Sequence, residues 1–195
     1  MDYGVGNIYS IKCALGKVGF TPLAWAPKRR LGEAEVVVLP GVGDFSTASR
    51  NLAPIKMTLV ELVEGGVLLV GICLGMQLLF QSSEEGEGEG LALLGGENVR
   101  LPNSVKVPHM GWNTIRIVRS IPLFEDIDNE SYFYFAHSYY PVPAEEGLIC
   151  AETVYGVAFP SVVAKWNIYG TQFHPEKSGR QGMRFLENLY RFVKR

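Results

Sequence analysis

Cysteine and histidine are scarce here, three of each in 195 residues. Cys13, Cys73 and Cys150 are too few and too scattered for a disulfide framework or a C-x-x-C metal site. No metal and no cofactor is therefore expected, and a reducing cytoplasm is the fitting compartment. Any imidazole base must be His109, His137 or His174. No apolar run approaches the ~18 residues of a membrane span. Met1 is followed at once by Asp2, without the basic and apolar regions of a leader. Charge of one sign is lacking too: the formal net charge is −2, and a nucleic-acid partner would call for a basic stripe. The only tight basic run, Lys28, Arg29 and Arg30, reads as a solvated loop.

What remains is apolar and rich in turns. With 47% hydrophobic residues and 22 glycines, the chain reads as a loop-rich α/β enzyme, one domain over residues 1–195. At this length roughly 70% of the unfolded surface can be buried. Val67 to Val70 is a short β-branched run of the kind buried in parallel sheets. The pattern breaks at Gly71-Ile72-Cys73-Leu74-Gly75 and resumes as an expected helix through Phe80. Strand, tight turn and helix around a nucleophile type make a nucleophile elbow, with Cys where hydrolases more often carry Ser. Glycines on both sides remove the Cβ atoms that would clash in such a turn. A helix start beside the sulfur favours thiolate, and the Leu74 N–H faces the place where an oxyanion would form. The same five residues also fit a buried structural cysteine on a β-to-α turn.

Upstream, Asp2 to Asn7 is a glycine-spaced loop opening a helix, with Ile8, Ile11, Leu15 and Val18 at helical spacing, Gly19 as its stop and Cys13 packed in its core or boundary. Glu35 to Leu39 reads as a second buried strand, ending in Pro40-Gly41-Val42-Gly43-Asp44-Phe45, where two glycines allow N–H groups to be aimed at a ligand. Ser46 to Glu64 reads as helical, and the glutamates before Gly90, Glu85 included, read as a solvated loop. Residues 98–101, 114–118, 132–136, 148–154 and 162–166 read as short strands. Pro108 to Asn113 reads as a loop, with His109 at its surface or boundary. Met183, Leu186, Leu189, Tyr190 and Val193 give a terminal helix its apolar face.

A cysteine nucleophile needs a base, and the base a group to orient it. Of the three histidines only His174 has a carboxylate at a useful interval. In an extended segment residues two apart share a side, so Glu176 can hold one imidazole nitrogen while the other meets Cys73.

G-I-C-L-G-M-Q with a distant H-P-E resembles the class I (triad) glutamine amidotransferases. D-Y-G-V-G-N, P-G-V-G-D-F, S-S-E-E, P-H-M-G-W-N, Y-F-A-H-S-Y-Y and Q-F-H-P-E-K-S, in that order, resemble one branch of them: the glutaminase subunits of imidazole glycerol phosphate synthase. The resemblance implies an α/β fold of flavodoxin-like type, with a mixed, mostly parallel central sheet and flanking helices. It implies a Cys73–His174–Glu176 triad and an oxyanion hole from Leu74 with Val42 or Gly43. Glutamine would be bound by Gly43, Gln77, Glu85, His137, Ser138 and Tyr139. Asn7, Pro108, Met110, Trp112, Tyr134 and Lys177 would lie at the ammonia passage to a (β/α)8 cyclase subunit. The family pattern carries an apolar strand before D-Y-G where only Met1 stands, so the first strand is expected to be truncated and its neighbours exposed. A sister glutaminase, such as that of pyridoxal phosphate synthesis, and a non-catalytic docking subunit are the competing readings.

Overall fold

A computed structural model describes residues 1–24 and 34–195; Lys28, Arg29 and Arg30 lie outside them. Asn7 opens α1 (Ile8–Lys17) by accepting the Ser10 N–H at 3.1 Å. Ile11, Ala14 and Leu15 form its buried face. Cys13 is exposed, contrary to expectation, because two positions from Ile11 turn it about 200° around the helix. β1 (Val36–Gly41) follows, and Asp44 caps α2 (Phe45–Leu52) by accepting the Thr47 N–H at 2.8 Å. A 3-10 turn holding Pro54 (Ala53–Ile55) separates α2 from α3 (Lys56–Glu64).

β2 (Leu68–Cys73) is buried at every residue and ends on the cysteine. The helix after it is one turn only, α4 (Leu74–Gln77), and does not reach Phe80. Past Leu78 the bonds tighten to i→i−3, with Leu79 N–H on Met76 O at 3.1 Å and Phe80 N–H on Gln77 O at 3.2 Å, and the Leu78, Leu79 and Phe80 carbonyls turn to the Leu91, Leu94 and Ala92 N–H groups at 2.7, 3.0 and 3.3 Å. The chain continues through β3 (Ser82–Ser83), β4 (Gly96–Arg100), β5 (His109–Thr114), β6 (Arg116–Ile117), β7 (Tyr132–His137), β8 (Tyr139–Pro143), β9 (Ile149–Val154), β10 (Ala158–Lys165) and β11 (Ile168–Thr171), and closes with α5 (Gly179–Val193).

The segment expected as a loop at 108–113 is thus mostly the strand β5, paired residue for residue with β7 from His109↔His137 to Thr114↔Tyr132. Its alternation is hidden from composition because the outward positions hold Met110 and Trp112 and an inward one holds a histidine. In the six-stranded sheet the order is β1-β2-β11-β10-β9-β6. β2 is parallel to both β1 and β11, and the remaining neighbours run antiparallel. The sheet is mixed, as expected, but not mostly parallel: only the β1–β2 and β2–β11 pairings are, because the short links from β9 to β10 and from β10 to β11 permit only antiparallel neighbours.

Both faces are covered. Leu68, Val70 and Ile72 enter one core with Ile11, Leu15, Phe173, Phe185 and Leu189. Leu69 enters the other with Leu39, Phe45, Leu59 and Met76. On the first face a cavity of about 740 Å³ lies beside β1, lined by Ile8, Ile11, Leu15, Val36, Val38 and Tyr190.

The elbow tolerates no side chain at its glycines. A Cβ on Gly75 would overlap the Leu39 carbonyl oxygen, and one on Gly71 would lie 2.5 Å from the Gly75 oxygen. Gly75→Ala should therefore cost about 3 kcal/mol or more and lower the thermal midpoint by roughly 10 °C. Gly16→Ala, in a helix with open space around it, should leave the midpoint unchanged or raise it.

Candidate active site

The strand register gathers the chemistry. Gly41 of β1 lies opposite Cys73 of β2, so the Val42–Gly43 loop leaves the sheet beside the sulfur. On the other side Thr171 of β11 lies opposite Ile72, which sets Gln172 level with Cys73 and His174 just beyond it. Carboxyl ends of parallel strands are where open α/β sheets keep their ligand sites.

Cys73 has φ +54° and ψ −111°, a backbone state that costs about 1–3 kcal/mol and persists only where its surroundings enforce it. The close approach of Gly71 and Gly75 does so here. The side chain is buried, and the thiol donates to the Ala136 carbonyl at 3.5 Å. With α4 a single turn, the macrodipole expected at the sulfur shrinks to the free N–H groups of that turn.

His174 is held on all sides. Its backbone N–H donates to Tyr134 O at 2.9 Å, and the Ser178 hydroxyl donates to its carbonyl at 2.6 Å while accepting the Tyr134 N–H at 2.9 Å. Its Nδ1–H donates to Glu176 Oε1 at 2.9 Å, both side chains being at most 5% exposed. A 3-10 turn (Pro175–Lys177) makes this pairing, not the extended segment assumed from spacing; Pro175 sits at its first position, where no N–H is needed.

The carboxylate fixes the tautomer and leaves Nε2 for the sulfur. Nε2 is buried without a hydrogen-bond partner, so the sulfur acts on the ring from outside bonding geometry. Burial by itself would lower the His174 pKa; the charge and hydrogen-bonding capacity of Cys73, then Glu176, outweigh it and hold it at about 9. Imidazolium and thiolate stabilise one another in such a pair.

The other expected residues fall into two groups. Gln77 is buried, and its Nε2 donates to Tyr139 O at 2.7 Å and to Gln172 Oε1 at 3.4 Å, leaving its own oxygen as the free polar atom. Glu85 is half-buried and accepts the Phe45 N–H at 2.8 Å, next to the Val42–Gly43 loop; desolvation pushes its pKa up, partly offset by that bond. Gly43 has φ +131°, as an aimed loop requires. Ser138 and Tyr139 lie half-buried where β7 turns into β8.

His137, by contrast, spends both ring nitrogens inside the protein. Its Nδ1–H donates to Tyr139 O at 2.9 Å, and its Nε2 accepts from His109 Nδ1 at 3.1 Å. Its side chain therefore has no nitrogen left for a ligand. His109 is no surface residue: it is 3% exposed and stacked between Tyr155 and Phe135 with centroids 4.0 and 5.0 Å away. Desolvation lowers the pKa of both, to about 4 for His109 and about 3 for His137, so they stay neutral.

Met110 and Trp112 are 65% and 55% exposed on β5, Trp112 meets Tyr134 edge-on, and Lys177 Nζ lies 5.9 Å over the Tyr134 ring. Pro108 is exposed at the start of this strand. Asn7 is exposed at the cap of α1, which packs against the turn holding Lys177.

Sequence reasoning gave no role to Gln172 or Ser178. Both lie within Q-F-H-P-E-K-S, and a polar residue just after an apolar parallel strand was the available signal for Gln172. Among the described residues no helix is long and apolar enough to cross a membrane, and no cluster of His, Cys, Asp and Glu has metal-binding form.

Residues 1–192 match the family described as glutamine amidotransferase class-I. The chain belongs to that family. Its fold is similar to solved structures titled PurLQS from Thermotoga maritima (TM-score 0.79, 20% identity, 98% of this chain and 95% of that one) and glutamine amidotransferase (TM-score 0.69, 20% identity, 97% and 93%). Within the family its similarity is more particular. Proteins named imidazole glycerol phosphate synthase subunit HisH are 46% identical in Methanocaldococcus jannaschii (97% of this chain, 96% of that protein), 45% in Moorella thermoacetica (100% and 94%) and 46% in Geobacillus thermodenitrificans (99% and 94%).

The histidines pull stability in opposite directions with pH. His174, raised from 6.5 to about 9, contributes stability that is complete below pH 6.5 and lost as pH rises through about 9. His109 and His137, depressed to about 4 and about 3, contribute stability present above pH 6.5 and lost as pH falls through those values. Thermal melts of Glu176→Gln should show a shallower decline than wild type across the alkaline window and an unchanged acid limb.

Proposed function

We propose that this chain, as one domain over residues 1–195, is the glutaminase subunit of an imidazole glycerol phosphate synthase, working in the cytoplasm. The buried His174–Glu176 pair beside Cys73 carries the chemistry. Relatives of that name, about 45% identical over nearly their whole length, carry the assembly.

Cys73 loses its proton to His174, and the sulfur attacks the side-chain amide carbon of glutamine. Negative charge moves to the amide oxygen, which the Leu74 N–H and an N–H of Val42 or Gly43 would hold. His174 protonates the departing nitrogen, ammonia leaves, and a γ-glutamyl thioester remains on Cys73. Water, deprotonated by His174, attacks that thioester; the C–S bond breaks and glutamate departs. Glu176 keeps the imidazole oriented throughout.

Glu85, with one carboxylate oxygen beyond its bond to Phe45, suits the ammonium group of glutamine. The Gln77 oxygen suits the donor groups of the ligand, and Ser138, Tyr139 and the His137 backbone line the far side. The ammonia would pass to a (β/α)8 cyclase subunit in a heterodimer, there converting PRFAR to imidazole glycerol phosphate and AICAR. Met110, Trp112, Tyr134 and Lys177, with Pro108 and Asn7 nearby, form the surface suited to that partner. Exposed Trp and Met are residue types enriched at interfaces.

Two measurements on the reconstituted complex test this. Cys73→Ala should reduce glutamine-dependent product formation by at least roughly a thousandfold and leave ammonia-dependent formation intact. Loss of both, or of neither, would remove Cys73 from its role. Glu85→Gln should raise the glutamine KM by about tenfold to a hundredfold with a smaller change in kcat.

A further inference from the structure

Gln172 is fully buried and bonded to the nucleophile, and the mechanism above leaves it idle. We propose that Gln172 is a further catalytic residue, whose carboxamide N–H is held against the Cys73 sulfur and favours its thiolate form. The role presupposes Cys73 as the nucleophile and deepens the reading of that site.

The direction of the amide follows from its neighbours, since oxygen and nitrogen of a carboxamide are assigned from the bonds around them. A carbonyl only accepts. The Tyr139 carbonyl therefore fixes the Gln77 nitrogen toward itself at 2.7 Å, and it likewise requires His137 Nδ1 to carry the proton at 2.9 Å. The second hydrogen of the Gln77 NH2 faces Gln172 at 3.4 Å, so Gln172 must present its oxygen there. Its nitrogen is left facing Cys73 Sγ at 3.7 Å. The backbone is fixed as well: the Gln172 N–H donates to Ser161 O at 2.9 Å, and the β2–β11 register keeps the residue level with the cysteine.

A thiol sulfur accepts weakly, whereas an anionic acceptor about doubles the strength of a hydrogen bond. The Gln172 contact thus gains when the Cys73 proton leaves for His174. It gains again when the thioester breaks and the sulfur departs with the electron pair. The Ala136 carbonyl, which accepts from the thiol at 3.5 Å, does the opposite and stabilises the protonated form. His174 and Gln172 act together against it.

The test reads sulfur ionisation without glutamine. In the full chain carrying Cys13→Ser, which removes the exposed thiol, iodoacetamide labelling of Cys73 is followed by mass spectrometry across pH. Gln172→Met, similar in shape but without the donor, should slow labelling about tenfold near neutral pH, and the gap should narrow as pH rises, because alkali favours thiolate in parent and variant alike. Gln172→Asn keeps an uncharged carboxamide, draws its N–H back from the sulfur by one methylene, and should show the same pattern; it decides the matter where Gln172→Met does not fold. Unchanged labelling near neutral pH, or an equal slowing at every pH, would reduce Gln172 to packing and overturn the proposal. Neither outcome bears on whether the complex hydrolyses glutamine.

Discussion

The parallel registry of three strands is the constraint on which the site depends. β2 is flanked by β1 and β11, and all three run the same way, so their carboxyl ends finish together. A one-residue slip of β11 would turn its side chains to the opposite face and carry Gln172 and His174 away from the sulfur. Registry is in turn enforced by packing, since every residue of β2 is buried and its alternate side chains are divided between two cores. The elbow exists because Gly41, Gly71 and Gly75 let backbones approach closer than any Cβ permits. The strained Cys73 backbone is thus held by the surrounding sheet.

On that frame the electrostatics are arranged as opposites. Three histidines lie within one small region, and burial alone would depress them all. Two of them stay neutral because burial is offset by no carboxylate: they meet each other, aromatic rings, a carbonyl oxygen and the Asn113 amide. The third is lifted to about 9 because it meets a carboxylate and a sulfur. Residue type does not separate a structural histidine from a proton carrier; the partner does.

Much of this was legible in the chain. The run at 67–70, the elbow and the H-P-E triplet were enough to place Cys73 and His174 at neighbouring strand ends, and the EVVVL run located β1. What escaped was set by contacts distant in sequence. β5 read as a loop because it becomes a strand only by pairing with β7, some twenty residues on, and because Trp112, Met110 and His109 obscure its alternation. The helix after Cys73 read as longer because nothing local says that its continuation will tighten to i→i−3 bonds and turn its carbonyls to Leu91, Ala92 and Leu94. Glu176 reached His174 as expected, through a 3-10 turn that spacing alone did not distinguish from an extended segment.

β7 is the element common to surface and site. One of its edges pairs with β5, which carries the exposed Met110 and Trp112. From its other side the Tyr134 backbone binds the His174 N–H and the Ser178 hydroxyl, the two atoms that fix the H-P-E turn. Two residues on, Ala136 accepts the thiol, and His137 begins the chain of bonds that ends at Gln172. Any shift of this strand would therefore reach His174, the thiol and the Gln172 amide together. Each depends on a different atom of one short backbone segment, held by hydrogen bonds whose geometry tolerates only small shifts. Packed interiors respond to such loads by switching between arrangements and not by gradual yielding. The strand that holds the thiol on a carbonyl is thus the same one that backs the exposed face of β5.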